Sequence, residues 1–174
     1  IVNAISDKLE ATILGNAAGS ATMPAGIFNG VTAETKDITY KRLVDMETAL
    51  EEANVAGNKC FIVSPSAKGI LKTTAKDALY NVTDGGVHTC VGCAGCLMEE
   101  NEVNGYPVYC TSNVTSKGVV MGHFEDFVIG QWGGIDLTVD PYTQAANGKV
   151  RLVINAYFDA KPRRTGSFQK AILK

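Results

Sequence analysis

A chain of 174 residues, 45% apolar and 20% charged, is long enough to bury a hydrophobic core and too apolar, at too small a net charge, to be a disordered tract. Sixteen basic against eighteen acidic residues leave a formal charge of −2, without the positive excess of a nucleic-acid or anionic-membrane binder. No apolar run approaches the roughly 18 residues of a bilayer span. The opening Ile1-Val2-Asn3, with no Met and no signal-like segment, reads as the start of a processed or excised piece.

Apolar side chains at Val2, Ile5, Leu9, Ile13 and Leu14 fit one face of a helix, with Gly15-Asn16 as a stop through left-handed backbone. Residues 15–36, rich in Gly, Ala, Ser, Asn and Thr, read as a loop. An amphipathic helix follows over 39–54, capped by Asp37 or Thr39. Its stripe is Leu43, Met46, Leu50 and Ala53, backed by Tyr40 and Val44, and Gly57 ends it.

Cys60-Phe61-Ile62-Val63 is a short apolar run that suits a buried strand, and Ser64-Pro65 then opens a short helix through Ile70 and Leu71. Residues 77–104 carry no clear pattern. Strands are expected over 105–110, 118–123 and 127–132, the last two joined by a turn at Glu125-Asp126. A β-ribbon is expected with arms over 135–139 and 149–158, placing Val150, Leu152 and Ile154 on one face. A final strand covers 167–173. Helices fall mostly in the first half and strands in the second, so the fold class is α+β.

The sharpest local motif is His88-Thr89-Cys90-Val91-Gly92-Cys93-Ala94-Gly95-Cys96. Its C-x2-C-x2-C spacing resembles the loop that wraps an iron–sulfur cluster, because small residues let backbone amides turn towards the sulfurs. The expected fourth Cys and Pro do not follow. Cys110 or His88 would have to complete a cluster or zinc site. Free or adventitiously oxidised loop thiols are the plainer reading, and five cysteines without a signal segment argue against a secreted disulfide framework.

His123 could form an acid–base pair with Asp126, or stand in a turn. No phosphate loop, dinucleotide fingerprint, nucleophile elbow or zinc-helix motif is present, so no catalytic, cofactor-binding or metal-binding residue is assigned. Lys161, Arg163 and Arg164 could touch a phosphate backbone or form a solvated turn. The sequons at Asn81 and Asn113 are discounted.

The order of these motifs resembles the major capsid proteins of tailed bacteriophages, the HK97-like family. The resemblance rests on Phe61-Ile62-Val63-Ser64-Pro65 with Ile70-Leu71-Lys72, on Gly105-Tyr106-Pro107-Val108, and on Val119 through Phe127. It continues in Ile135 through Pro141, the return arm from Lys149 to Phe158, and Asp159-Ala160-Lys161-Pro162 at the family's Arg-Pro site.

It implies an HK97-like fold in which this chain is the C-terminal portion. Residues 1–18 would be a remnant of the spine helix, 19–132 the central A domain, 133–157 the ribbon of the peripheral P domain, and 158–174 a strand returning to the A domain. The implied function is a structural, non-enzymatic subunit that assembles with copies of itself into pentamers and hexamers. The shell would enclose double-stranded DNA without sequence specificity, with no membrane or small-molecule partner and no cofactor. The implied location is the virion, and the bacterial cytoplasm during assembly.

An encapsulin-type compartment shares that fold. The rivals from other classes are a small redox or metal protein using Cys90, Cys93, Cys96 and Cys110, and a DNA-binding module led by Lys161, Arg163 and Arg164. Some family members join subunits through a Lys–Asn bond assisted by a Glu. The run Val150-Arg151-Leu152-Val153-Ile154 holds no Glu, so no such cross-link is expected.

Overall fold

The computed structural model describes residues 2–76, 83–84, 87–88 and 95–174. Helix α1 (Val2–Ile13) is followed by an irregular segment, then by α2 (Tyr40–Glu52), strand β1 (Cys60–Val63) and α3 (Pro65–Thr73). The stretch without pattern contains three two-residue strands, β2 (Thr83–Asp84), β3 (Val87–His88) and β4 (Glu102–Val103). Strands β5 (Tyr106–Cys110), β6 (Gly118–Gly122), β7 (Phe127–Asp140), β8 (Arg151–Pro162) and β9 (Phe168–Ile172) complete the chain.

The central sheet runs β4-β5-β1-β6-β9, and only the β1–β5 pairing is parallel. Alternation along β1 serves both faces. Phe61 and Val63 point into a core with Leu43, Met46 and Leu50 of α2 and Ala67 and Leu71 of α3. Ile62 packs against a second core on the opposite face, where Ile13, Leu14, Phe28, Val120 and Phe168 meet. Every residue of β6 is buried, as a strand covered on both sides requires.

The caps follow local chemistry. Thr39, rather than Asp37, caps α2 by accepting from the Arg42 amide, and Ser64 caps α3 by accepting from the Ala67 amide ahead of Pro65. Helix α2 stops at Glu52, not Asn54. Asn54 takes φ +52, and the Val55 amide bonds back to the Leu50 carbonyl, an end motif that Asn tolerates almost as well as Gly. Gly57 therefore has a different task. Its φ is +94, and a Cβ there would lie 2.5 Å from His123 Cε1.

The expected left-handed stop at Gly15-Asn16 is not what forms, since neither residue has positive φ. Gly15 instead ends α1 by close approach. Its carbonyl accepts from the Phe28 amide at 3.0 Å and would sit 2.2 Å from any Cβ added at Gly26. Tyr40 also departs from expectation: it is exposed rather than backing the α2 stripe.

The two strands expected over 127–132 and 135–139 are one. β7 runs unbroken through both and pairs β8 from Phe127↔Pro162 to Asp140↔Arg151, with a register shift between Trp132 and Asp136. Gly133 at φ +71 accommodates that bulge. The return arm is likewise four residues longer at its end than expected, reaching Pro162 instead of Phe158, because its last residues pair with the start of β7.

Candidate functional site

No described residues form a catalytic constellation, and no three His, Cys, Asp or Glu side chains converge as a metal site among them. Cys90 and Cys93 lie outside the described residues, as does the His88 side chain. Cys96 is disulfide-bonded, and Cys110 is a free, exposed thiol on β5. A disulfide sulfur is not the thiolate that a cluster or zinc ion needs, so the geometry lends the redox reading no support.

His123 opens a 3-10 turn at Phe124–Asp126, as a turn residue. Its Nδ1 lies 2.8 Å from the Asn58 carbonyl and its Nε2 3.7 Å from Glu125. Asp126 is buried, and its carboxylate is occupied by Ser167 and Arg163 rather than by the imidazole. The basic cluster is also partly spoken for. Arg163 pairs with Asp126 at 2.9 Å, and Arg164 donates to the Ala53 carbonyl at the end of α2 at 3.1 Å. Two of the three cations proposed for a phosphate backbone thus serve intramolecular contacts.

The feature that stands out is the β7–β8 ribbon. It is a two-stranded sheet with no third strand among the described residues, and an isolated ribbon of this kind is marginal in water. Its pairing register puts Ile129, Leu137, Val139, Leu152, Ile154 and Phe158 on one face. Val128, Trp132 and Tyr157 lie on the other, among Asp136, Asp140, Arg151 and Asp159. Trp132 and Tyr157, paired across the strands, are 59% and 64% exposed. Most exposed large apolar side chains of the described structure belong to this ribbon.

Helix α1 covers only part of the apolar face. Between them lies an open groove of about 680 Å³, lined by Ala4, Ile5, Leu9, Leu152, Ile154 and Phe158. At the ribbon's tip the chain is well tied. Asp140 accepts from the Thr143 hydroxyl and then from the Thr143 and Tyr142 amides, which holds its carboxyl below the usual range despite partial desolvation. Tyr142 is left 86% exposed on that ordered loop. Exposed apolar side chains thus lie on both faces of the ribbon, the feature of this surface that a function has to account for.

The comparisons with known proteins agree with that geometry. The model of the phage capsid family matches residues 1–172. This chain belongs to the phage capsid family. The major capsid protein of Halomonas phage phiHAP-1 is 31% identical over 133 residues, which is 76% of this chain and 20% of that protein. Among solved structures, the capsid of an empty GTA particle computed with C5 symmetry superposes with a TM-score of 0.62 at 16% identity, covering 99% of this chain and 64% of that one. A structure of Gordonia phage Cozz gives a TM-score of 0.64 at 15% identity, covering 99% of this chain and 61% of that one. The α+β architecture is thus the HK97-like capsid fold. The chain spans about a fifth of the curated relative and less than two thirds of these solved chains.

Proposed function

We propose that this chain is part of the structural subunit of a phage shell, which assembles with copies of itself and catalyses no reaction. The observation that supports this best is the ribbon: a long, two-faced apolar surface held out from a well-packed sheet, on a fold shared with capsid proteins. Closed rings need heterologous contacts, with different patches of each copy meeting around an axis. The ribbon and the β4 edge of the central sheet offer two different patches of this kind.

On this reading residues 1–18 belong to a spine helix, 19–132 to the central domain with the outgoing root of the ribbon, 133–157 to its peripheral part, and 158–174 to the returning segment that holds the other root arm and β9. Pentamers and hexamers close into a shell around double-stranded DNA, without sequence readout. The near-neutral charge suits a wall that surrounds DNA without gripping it. The subunit gathers in the bacterial cytoplasm and ends in the virion.

The test is expression of the complete subunit that carries this chain, followed by electron microscopy. Closed particles are expected. Trp132→Asp should abolish them while leaving the thermal midpoint of the subunit close to wild type. Particles unaffected by that change, or no particles from the wild type under any assembly condition, would contradict the reading.

A further inference from the structure

The ribbon leaves the central sheet through two crossings, residues 123–126 on the way out and 163–167 on the way back. One carboxylate ties both. Asp126, only 4% exposed, accepts from Ser167 Oγ at 2.5 Å through Oδ2 and from Arg163 Nη2 at 2.9 Å through Oδ1. The backbone closes the same ring. The Arg163 amide donates to the Asp126 carbonyl at 2.7 Å, and the His123 amide to the Ser167 carbonyl at 3.2 Å.

Around this ring, Phe168 meets Phe124 and Phe127 edge to face at centroid distances of 5.3 and 5.9 Å. Arg164 reaches past it to the end of α2. The charged and titratable groups around the carboxylate are Arg163 and His123, with Glu125 beside the imidazole. The bulge further along the ribbon has lighter, local bracing, with Gln131 Nε2 donating to the Gly133 carbonyl at 3.3 Å. Register is lost between Trp132 and Asp136, Gly133 is at φ +71, and a Cβ at Gly133 or Gly134 would meet nothing within 4 Å.

We propose that Asp126 is the positioning residue that locks the ribbon's root to the central sheet, so that the ribbon changes direction at Gly133-Gly134 and not at its root. The physical reason is an asymmetry of constraint. Bending at the root would strip a buried carboxylate of two partners, which is expensive in a low-dielectric setting. At the bulge no β7 residue between Trp132 and Asp136 is paired with β8, and the space beside Gly133 and Gly134 is open. This inference concerns the mechanics of the chain itself and stands whether or not the chain builds shells.

Amide hydrogen exchange, read residue by residue by NMR on the 174-residue chain, tests it. In Asp126→Asn the amides of His123, Asp126 and Arg163 should exchange at least tenfold faster than in the wild type. Those of Phe61 to Val63 and Val119 to Met121 should keep wild-type rates. Ser167→Ala, which leaves the Arg163 pair in place, should show a smaller rise at the same root amides, and it carries the test should Asp126→Asn fail to fold. Root rates within twofold of wild type would overturn the proposal. So would a rise spread evenly over root and sheet, since Asp126 would then serve only global stability. Residual dipolar couplings on the wild type check the second half. Phe127 to Gln131 should share the alignment of the central sheet while Leu137 to Val139 follow a separate one, and a single alignment for both would also overturn it.

Discussion

Asp126 shows how a single side chain acquires a role that its identity does not announce. The Ser167 hydroxyl first, and then the Arg163 guanidinium, hold its carboxyl below the ordinary carboxylate range, although burial pulls the other way. The sign of the pH effect follows. A depressed folded value contributes stability that is fully present above the unfolded value of about 3.9, and that is lost as pH falls through the folded one. Thermal melts between pH 2 and 6 should therefore fall more steeply for the wild type than for Asp126→Asn, with the two curves converging at the acid end. Gly57 makes a second case. Gly57→Ala has to hold φ +94 and push against the His123 ring, and should lower stability by on the order of 1–3 kcal/mol in urea denaturation.

At the scale of elements, sequence and structure coincide where a local rule and burial agree. The stripe Leu43, Met46, Leu50 recurs at helical spacing, and all three side chains are fully buried against the sheet. Leu50→Ala should cost about 2–5 kcal/mol, the usual penalty for emptying a packed leucine site. Ser64→Ala, which removes the cap of α3 and the bond to the Ser66 hydroxyl, should cost about 1–2 kcal/mol. Chemical denaturation of each variant checks these magnitudes. Elements that escaped the periodic reading were short ones. Strand β4 spans two residues and is returned into β5 by Asn104-Gly105, both at positive φ. That Asn-Gly pair is a recognised hairpin signal, and it was present in the sequence beside a strand too short to show a period. Gly133-Gly134 stands between the segments 127–132 and 135–139, which read as separate strands. Two glycines look like a break between strands, whereas pairing to β8 carries β7 straight through them as a bulge.

For the whole molecule, the charge balance and the lack of an enzymatic motif gain meaning from the ribbon. A chain that exposes Trp132, Leu137, Val139, Leu152 and Tyr157 on a two-stranded sheet has apolar surface that only another surface can cover. The 174-residue chain by itself, measured by static light scattering, should behave as a weakly associating monomer or small oligomer, with its apparent mass rising with concentration. A stable closed shell from this chain alone would show that the ribbon needs no further segment of the subunit. Changing Tyr142 to Ser at the tip should weaken that self-association with little change in melting temperature, because the phenol is 86% exposed and the Asp140 bonds that order the loop remain.

Sequence alone determined what depends on neighbours a few residues apart: the α2 stripe, the Ser64-Pro65 start of α3, the buried apolar run of β1, and the α+β class. Spacing, capping and chain entropy act over one or two turns, so those features can be read in order along the chain. Tertiary structure decided what depends on residues far apart in sequence. The Asp126–Ser167 bond spans 41 positions and the Arg164–Ala53 bond 111. Neither the burial of one carboxylate nor the diversion of two arginines from a presumed anion site is visible until the fold brings those partners together. The same holds for β7: whether a glycine pair breaks a strand or bulges within it is settled by the strand that pairs with it, not by the glycines.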